Sequence, residues 1–155
     1  MNAIKSAVLA SLAASAALVS TASFAADQAD VQVLAAVINN CKIIQTQDIN
    51  FGKLDPAQAT DANAQGAVTL ACTKKVNFVL AADLGQNADG SDRRMIGGVE
   101  GAYLGYALKA DKFAGVGEGF STPITVGLDA SIAGSDYKDL PADAYADTLR
   151  FTVMP

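Results

Sequence analysis

The side chains of this sequence that could do chemistry are two cysteines, Cys41 and Cys72, and a scatter of acids that thickens toward the C-terminus at Asp136, Asp139, Asp143 and Asp147. Two carboxylates can cleave a glycosidic bond when they are fixed across a sugar cleft and one is held protonated by burial. Nothing in the pattern around these four predicts such burial. Asp favours the surface, and they read as solvated loop acids. The chain has no His, which removes Ser-His and Cys-His nucleophiles together with His-containing zinc and copper sites. No catalytic, cofactor-binding or metal-binding residue is assigned, and the chain is read as a non-enzyme.

Two short runs imitate functional motifs. GVGEGF at Gly115–Phe120 has glycines like a phosphate loop, but its third Gly is misplaced and no helix pattern follows to turn its amino end toward a phosphate. It reads as a connection between strands. NADGSD at Asn87–Asp92 gathers oxygen ligands around a Gly. Placing Gly90 at the required Gly of a calcium-binding helix-loop-helix puts Gly85 and Ile96 at the first and last ligand positions, and neither can ligate. An Asn, Asp and Gly turn accounts for the same residues.

The elements that would position any site begin after a removable leader. Residues 1–25 carry Lys5, an apolar run from Ala7 to Val19 and small residues around Ala25. That is the form of a secretory signal peptide, too short in its apolar part to span a bilayer. Cleavage is expected after Ala25 or Ala26, leaving a single domain over residues 26–155. With Lys5 in the leader, the mature part keeps ten basic against sixteen acidic residues. An acidic domain without a basic cluster is a poor partner for nucleic acid or anionic lipid, and no membrane insertion of the mature chain is expected. In an exported chain Cys41 and Cys72 are expected to form a disulfide. Closing a loop of about 30 residues would restrict the unfolded chain by roughly 3–4 kcal/mol.

Beyond the leader, short strand signals alternate with polar, Gly-rich or Asp-rich breaks. They fall at Val31–Ile38, Ile49–Phe51, Ala67–Cys72, Asn77–Ala82, Leu104–Lys109, Ile124–Ala130 and Asp147–Val153, and Ala57–Ala64 could form a helical turn or two. Many short strands in one domain predict an all-β, antiparallel β-sandwich. In the last strand Leu149, Phe151 and Val153 share one face and Arg150 and Thr152 the other. In the first, Val31, Val33, Ala35 and Val37 share a face, while Leu34, Ala36 and Ile38 make the opposite face apolar too. Periodicity leaves open whether this strand completes its own sandwich or is given to another.

Several segments resemble, in order, the spore coat protein U domain family, which includes pilin subunits of the archaic chaperone-usher pathway. They are the alternating strand ending at Cys41, INFGKLDP at Ile49–Pro56, VTLACT at Val68–Thr73, DRRM at Asp92–Met95, LGYALKAD at Leu104–Asp111 and DAYADTLRFTV at Asp143–Val153. The chain departs from the pattern at Asp143, where the family usually has Gly. The resemblance implies an immunoglobulin-like, pilin-type sandwich lacking its last strand, with Leu149, Phe151 and Val153 in the strand that borders the open groove. It further implies that residues 27–38 are an N-terminal donor strand, with Val31, Val33, Ala35 and Val37 as its inserting side chains. The implied partners are a periplasmic chaperone, an outer-membrane usher and identical or related subunits joined head to tail. Implied too is export through the periplasm to a surface pilus. A self-complete secreted coat or matrix protein, keeping its first strand for itself, is the alternative. A small carbohydrate-binding module would want aromatic platforms, and the chain offers four Tyr and six Phe, several of them in strand patterns.

Overall fold

The computed structural model describes residues 26–109 and 112–155. The leader expected at 1–25 lies outside the described residues. The chain divides into two units, Met1–Ala35 and Ala36–Pro155. Of the first, residues 26–35 are exposed and form no strand. The second is the antiparallel β-sandwich read from the sequence.

Its elements are β1 (Cys41–Gln47), β2 (Ala62–Cys72), β3 (Asn77–Ala82), β4 (Arg93–Ile96), β5 (Tyr103–Leu108), β6 (Lys112–Val116), β7 (Ile124–Ile132), a single helical turn α1 (Gly134–Tyr137) and β8 (Phe151–Met154). One sheet runs β1-β2-β7-β5-β4 and the other β6-β3-β8. The period of two in the sequence accounts for the long strands. On β7, Leu128, Ala130 and Ile132 point inward and are buried, while Thr125, Gly127 and Asp129 face out. On β2, Val68 and Leu70 meet Phe78 and Leu80 of β3 in the main core cluster, joined by Leu108 and Leu128. Burying each such side chain stabilises the fold by about 1.5–3 kcal/mol. A smaller cluster of Leu104, Ile132 and Tyr137 fixes α1, and the Tyr137 hydroxyl donates to the Thr60 carbonyl at 2.7 Å.

Several strand expectations need correction. Residues 31–38 form no strand, and Ile49–Phe51 makes no ladder; the Asn50 side chain instead accepts the Gly52 N–H at 2.8 Å in a local turn. Only a turn at residues 56–58 stands where a helical segment was expected, and β2 begins five residues before the expected Ala67, at Ala62. Its early inward residues, Ala64 and Gly66, are too small to signal a strand. Gly66 is needed there: a Cβ would lie 2.6 Å from Ile49 Cγ1 and 2.7 Å from the Gln47 carbonyl, where the chain leaving β1 crosses β2. The polar stretch Gly85–Arg94 runs into β4, and β6 was not anticipated. Its last residues, Gly115 and Val116, place the glycine-rich run at a strand end.

Strand direction sorts the connections to two ends. At one end Thr73 N–H donates to the Asn40 carbonyl at 2.8 Å, Lys75 N–H to the Gly117 carbonyl at 2.7 Å and Gly119 N–H to the Cys72 carbonyl at 3.1 Å. This is the Cys41 end. The opposite end carries the longer segments 48–61, 83–92, 97–102 and 133–150, cross-linked by Asp61 to Gly134 N–H at 2.9 Å and Asp143 to Val99 N–H at 2.9 Å.

Candidate functional site

The feature that stands out is a seam. β1 closes one sheet and β8 the other, and these two edge strands approach each other with no strand between them among the described residues. Along β8 the register sets Ala81 opposite Thr152 and Val79 opposite Met154, and Asp83 N–H donates to the Arg150 carbonyl at 2.9 Å. Bonded residues alternate in an antiparallel ladder. The N–H and C=O groups of Leu149, Phe151 and Val153 therefore face away from β3, along the free edge.

The side chains of the same three residues pack against the main core cluster but are only half-buried, whereas Leu70 and Leu80 in that cluster are 0% exposed. Ile43, Ile49 and Phe51 on the β1 side share this state. Core residues left half in water mark where cover is missing. Two adjoining cavities of about 520 and 580 Å³ open here, sharing Ile49, Phe51, Met95 and Tyr145 in their walls. Val68 and Leu128 reach the first, Leu104 and Ile132 the second.

The β1 wall is held by the Cys41–Cys72 disulfide, S–S 2.00 Å, which joins register partners at the first pair of the β1–β2 ladder. The β8 wall is held by a polar junction that the sequence reading missed. Tyr145, Asp147, Leu149, Phe151 and Val153 are all half-buried at period two, so the β8 face begins earlier than β8 itself. An Asp on that face is the signal that could have found the junction. Asp147 is not a solvated loop acid: it accepts from Tyr106 Oη at 2.7 Å, Asn87 Nδ2 at 2.9 Å and Gln86 N–H at 3.0 Å. A side chain at Gly85, whose φ is +90°, would run into its carboxylate. Ala146 exchanges main-chain bonds with Ile96 of β4, at 2.9 and 3.1 Å. The last segment thus bridges to the first sheet before it joins the second.

Burial, and then the bond to Asp147, pushes the Tyr106 hydroxyl well above the ordinary value for tyrosine. The N–H groups of Ala144 and Val99 hold the Asp143 carboxyl below the usual carboxylate range. Asp143 ties the β4–β5 turn to the β8 approach. The two groups give opposite pH signatures. The stabilising contribution of Tyr106 is complete below its unfolded value of about 10 and is lost as pH rises through its higher folded value. That of Asp143 is present above about 4 and lost as pH falls through its lower folded value. Tyr106→Phe is expected to cost about 1–2 kcal/mol near neutral pH and to remove the alkaline limb, while Asp143→Asn removes part of the acid limb. Urea unfolding across pH checks both, and an unchanged alkaline limb in Tyr106→Phe would count against the Tyr106 assignment.

The expected donor residues are exposed: Val31 by 85%, Val33 by 91% and Val37 by 88%, with Ala35 exposed as well. No group of three or more Cys, Asp or Glu among the described residues is arranged to hold a metal ion. Asp89, in the run that imitates a calcium loop, pairs with Arg94 at 3.0 Å. Among the described residues no helix is long and apolar enough to cross a membrane.

The model of one protein family, described as the Spore Coat Protein U domain, matches residues 27–152. No curated protein matches the chain. Among solved structures, the chain is similar to the chaperone-tip adhesion subunit pre-assembly complex from archaic chaperone-usher Csu pili of Acinetobacter baumannii. The identity is 19% and the TM-score 0.46, with 76% of this chain and 40% of that chain covered. The chain thus spans two fifths of the length of that solved chain.

Proposed function

Since the chain belongs to the Spore Coat Protein U domain family, we propose that it is a structural subunit of an adhesive surface pilus, assembled by a chaperone and an usher through donor-strand exchange. The observation that carries this reading is the seam: a free β8 edge running beside core side chains that stay half in water. An unpaired edge over uncovered core invites aggregation, and adding one strand resolves both faults. Main-chain bonds along Leu149, Phe151 and Val153 give affinity, and alternate side chains of the incoming strand fill the cavities.

A periplasmic chaperone lends that strand first, and residues 27–38 of the next subunit replace it at the outer-membrane usher. Val31, Val33, Ala35 and Val37 are the side chains that enter. Each Val passing from water into the seam contributes about 1.5–3 kcal/mol. One donor and one groove per subunit give a head-to-tail contact that does not close, so the product is a fibre. The role is mechanical and adhesive rather than catalytic, and it is carried out at the cell surface after removal of residues 1–25.

A peptide of residues 27–40 added to a subunit lacking Asp27–Ile38 tests the groove directly. Uptake is expected to raise the unfolding temperature, and the same peptide with Val33→Asp and Val37→Asp is expected to leave it unchanged. If instead the full mature chain refolds alone to a stable monomer and the truncated subunit ignores the peptide, the self-complete coat protein is the better reading.

A further inference from the structure

The two ends of the sandwich differ in charge. At the Cys41 end, residues 40–43, 70–77 and 114–124 carry Lys42, Lys74 and Lys75 against a single acid, Glu118. All three lysines are exposed, and none forms an ion pair among the described residues. Lys74 and Lys75 sit in the β2–β3 turn, which the bonds to Gly117 and Asn40 hold beside the start of β1. At the opposite end, residues 48–61, 83–102 and 133–150 carry eleven Asp and Glu against five Lys and Arg. The seam opens among those acids: Asp48 and Asp147 line one cavity and Asp143 the other.

Resting on the strand-donation reading, we infer that the lysine-bearing Cys41 end of one copy docks against the acidic end of the next copy, around the mouth of the groove. The occupant follows from the chain itself. The donor segment leaves its own sandwich at Asn40–Cys41, so a copy that places residues 27–38 in a neighbour's groove brings Lys42, Lys74 and Lys75 to that neighbour's surface. Docking at the acidic mouth sets lysines against carboxylates. The reverse approach sets the lysine ends of both copies together, and like charges in contact disfavour it. Charge therefore selects one direction of strand insertion and gives every junction of the fibre the same polarity. Exposed pairs add little to the strength of a finished contact, so the effect falls mainly on the rate of encounter, and salt weakens it.

The test measures polymer growth of the mature chain at low salt and at about 0.5 M salt, where the Debye length shrinks to a few ångströms, beside uptake of the 27–40 peptide. The triple variant Lys42→Glu, Lys74→Glu, Lys75→Glu is expected to take up peptide normally but to grow about tenfold more slowly at low salt, with little dependence on salt. Adding Asp139→Lys and Glu100→Lys to that variant is expected to recover the rate, because both acids are exposed and neither lines the cavities or serves the Asp147 junction. Growth of the triple variant at the parent's rate and salt dependence overturns the inference while leaving strand donation standing. Polymer growth without residues 27–38, or a parent groove that ignores the peptide, overturns strand donation itself. Should the triple variant fail to take up peptide, Asp139→Lys with Glu100→Lys in the parent decides: slower growth at low salt with normal peptide uptake supports the docking surface, and unchanged growth rejects it.

Discussion

The mature chain without Asp27–Ile38 is expected to form no polymer of its own, yet still to accept a strand from a full-length copy. Truncation removes a segment that is exposed and forms no strand. The core clusters, the disulfide and the Asp147 junction all lie beyond residue 40. Folding of the sandwich should therefore be spared while any donation by that segment is lost. Mixed with full-length subunits, the truncated form occupies one end of a growing fibre and offers no strand onward, so polymer length falls in proportion to its share. Sedimentation and electron microscopy of such mixtures measure this. Polymers grown from the truncated subunit alone would sink the strand-donation reading.

The second large effect is expected at the disulfide. Cys41→Ser and Cys72→Ser each lower stability by roughly 3–4 kcal/mol, and the double variant loses little more, because either change opens the same closed loop. For a domain that is stable by only about 5–15 kcal/mol this is a large fraction, and subunit yield under oxidising conditions should fall alike in the two single variants. The groove suffers beyond the global loss. Among the described residues β1 pairs with β2 alone, and its register shifts between Ile43 and Gln45, so the bridge is the firmest hold on that wall. Peptide uptake by the reduced parent should match that of the variants. Additive losses in the double variant would show that the two residues act separately.

The sequence exposed the parts of the fold in which large side chains alternate with polar ones. β3 begins and ends where its pattern does, and β7 extends the expected strand by two residues, to Ile132. It hid the parts built from small or charged residues. The early half of β2 turns Ala64 and Gly66 inward, and β4 opens with Arg93 and Arg94 in what reads as a polar loop. The last strand was legible as to which residues face the core, but β8 proper begins at Phe151, since residues 145–149 follow the same face with only the single bridge from Ala146 to Ile96. The groove left no local mark, because absence of a strand has no residue to announce it; the family resemblance alone named it. Asp147 could have been found, as a lone carboxylate in phase with Tyr145, Leu149 and Phe151, had its place on an apolar face been weighed against the surface habit of Asp.

The position of the Cys41–Cys72 bridge has a mechanical consequence. In a fibre joined through residues 27–38, tension enters each subunit at Cys41, the first residue of an edge strand. Without a cross-link the whole pull would fall on the ladder between β1 and β2. The bridge closes the first rung covalently and passes the load into β2, which is paired along nine positions with β7. The disulfide therefore spreads the load over two ladders instead of one.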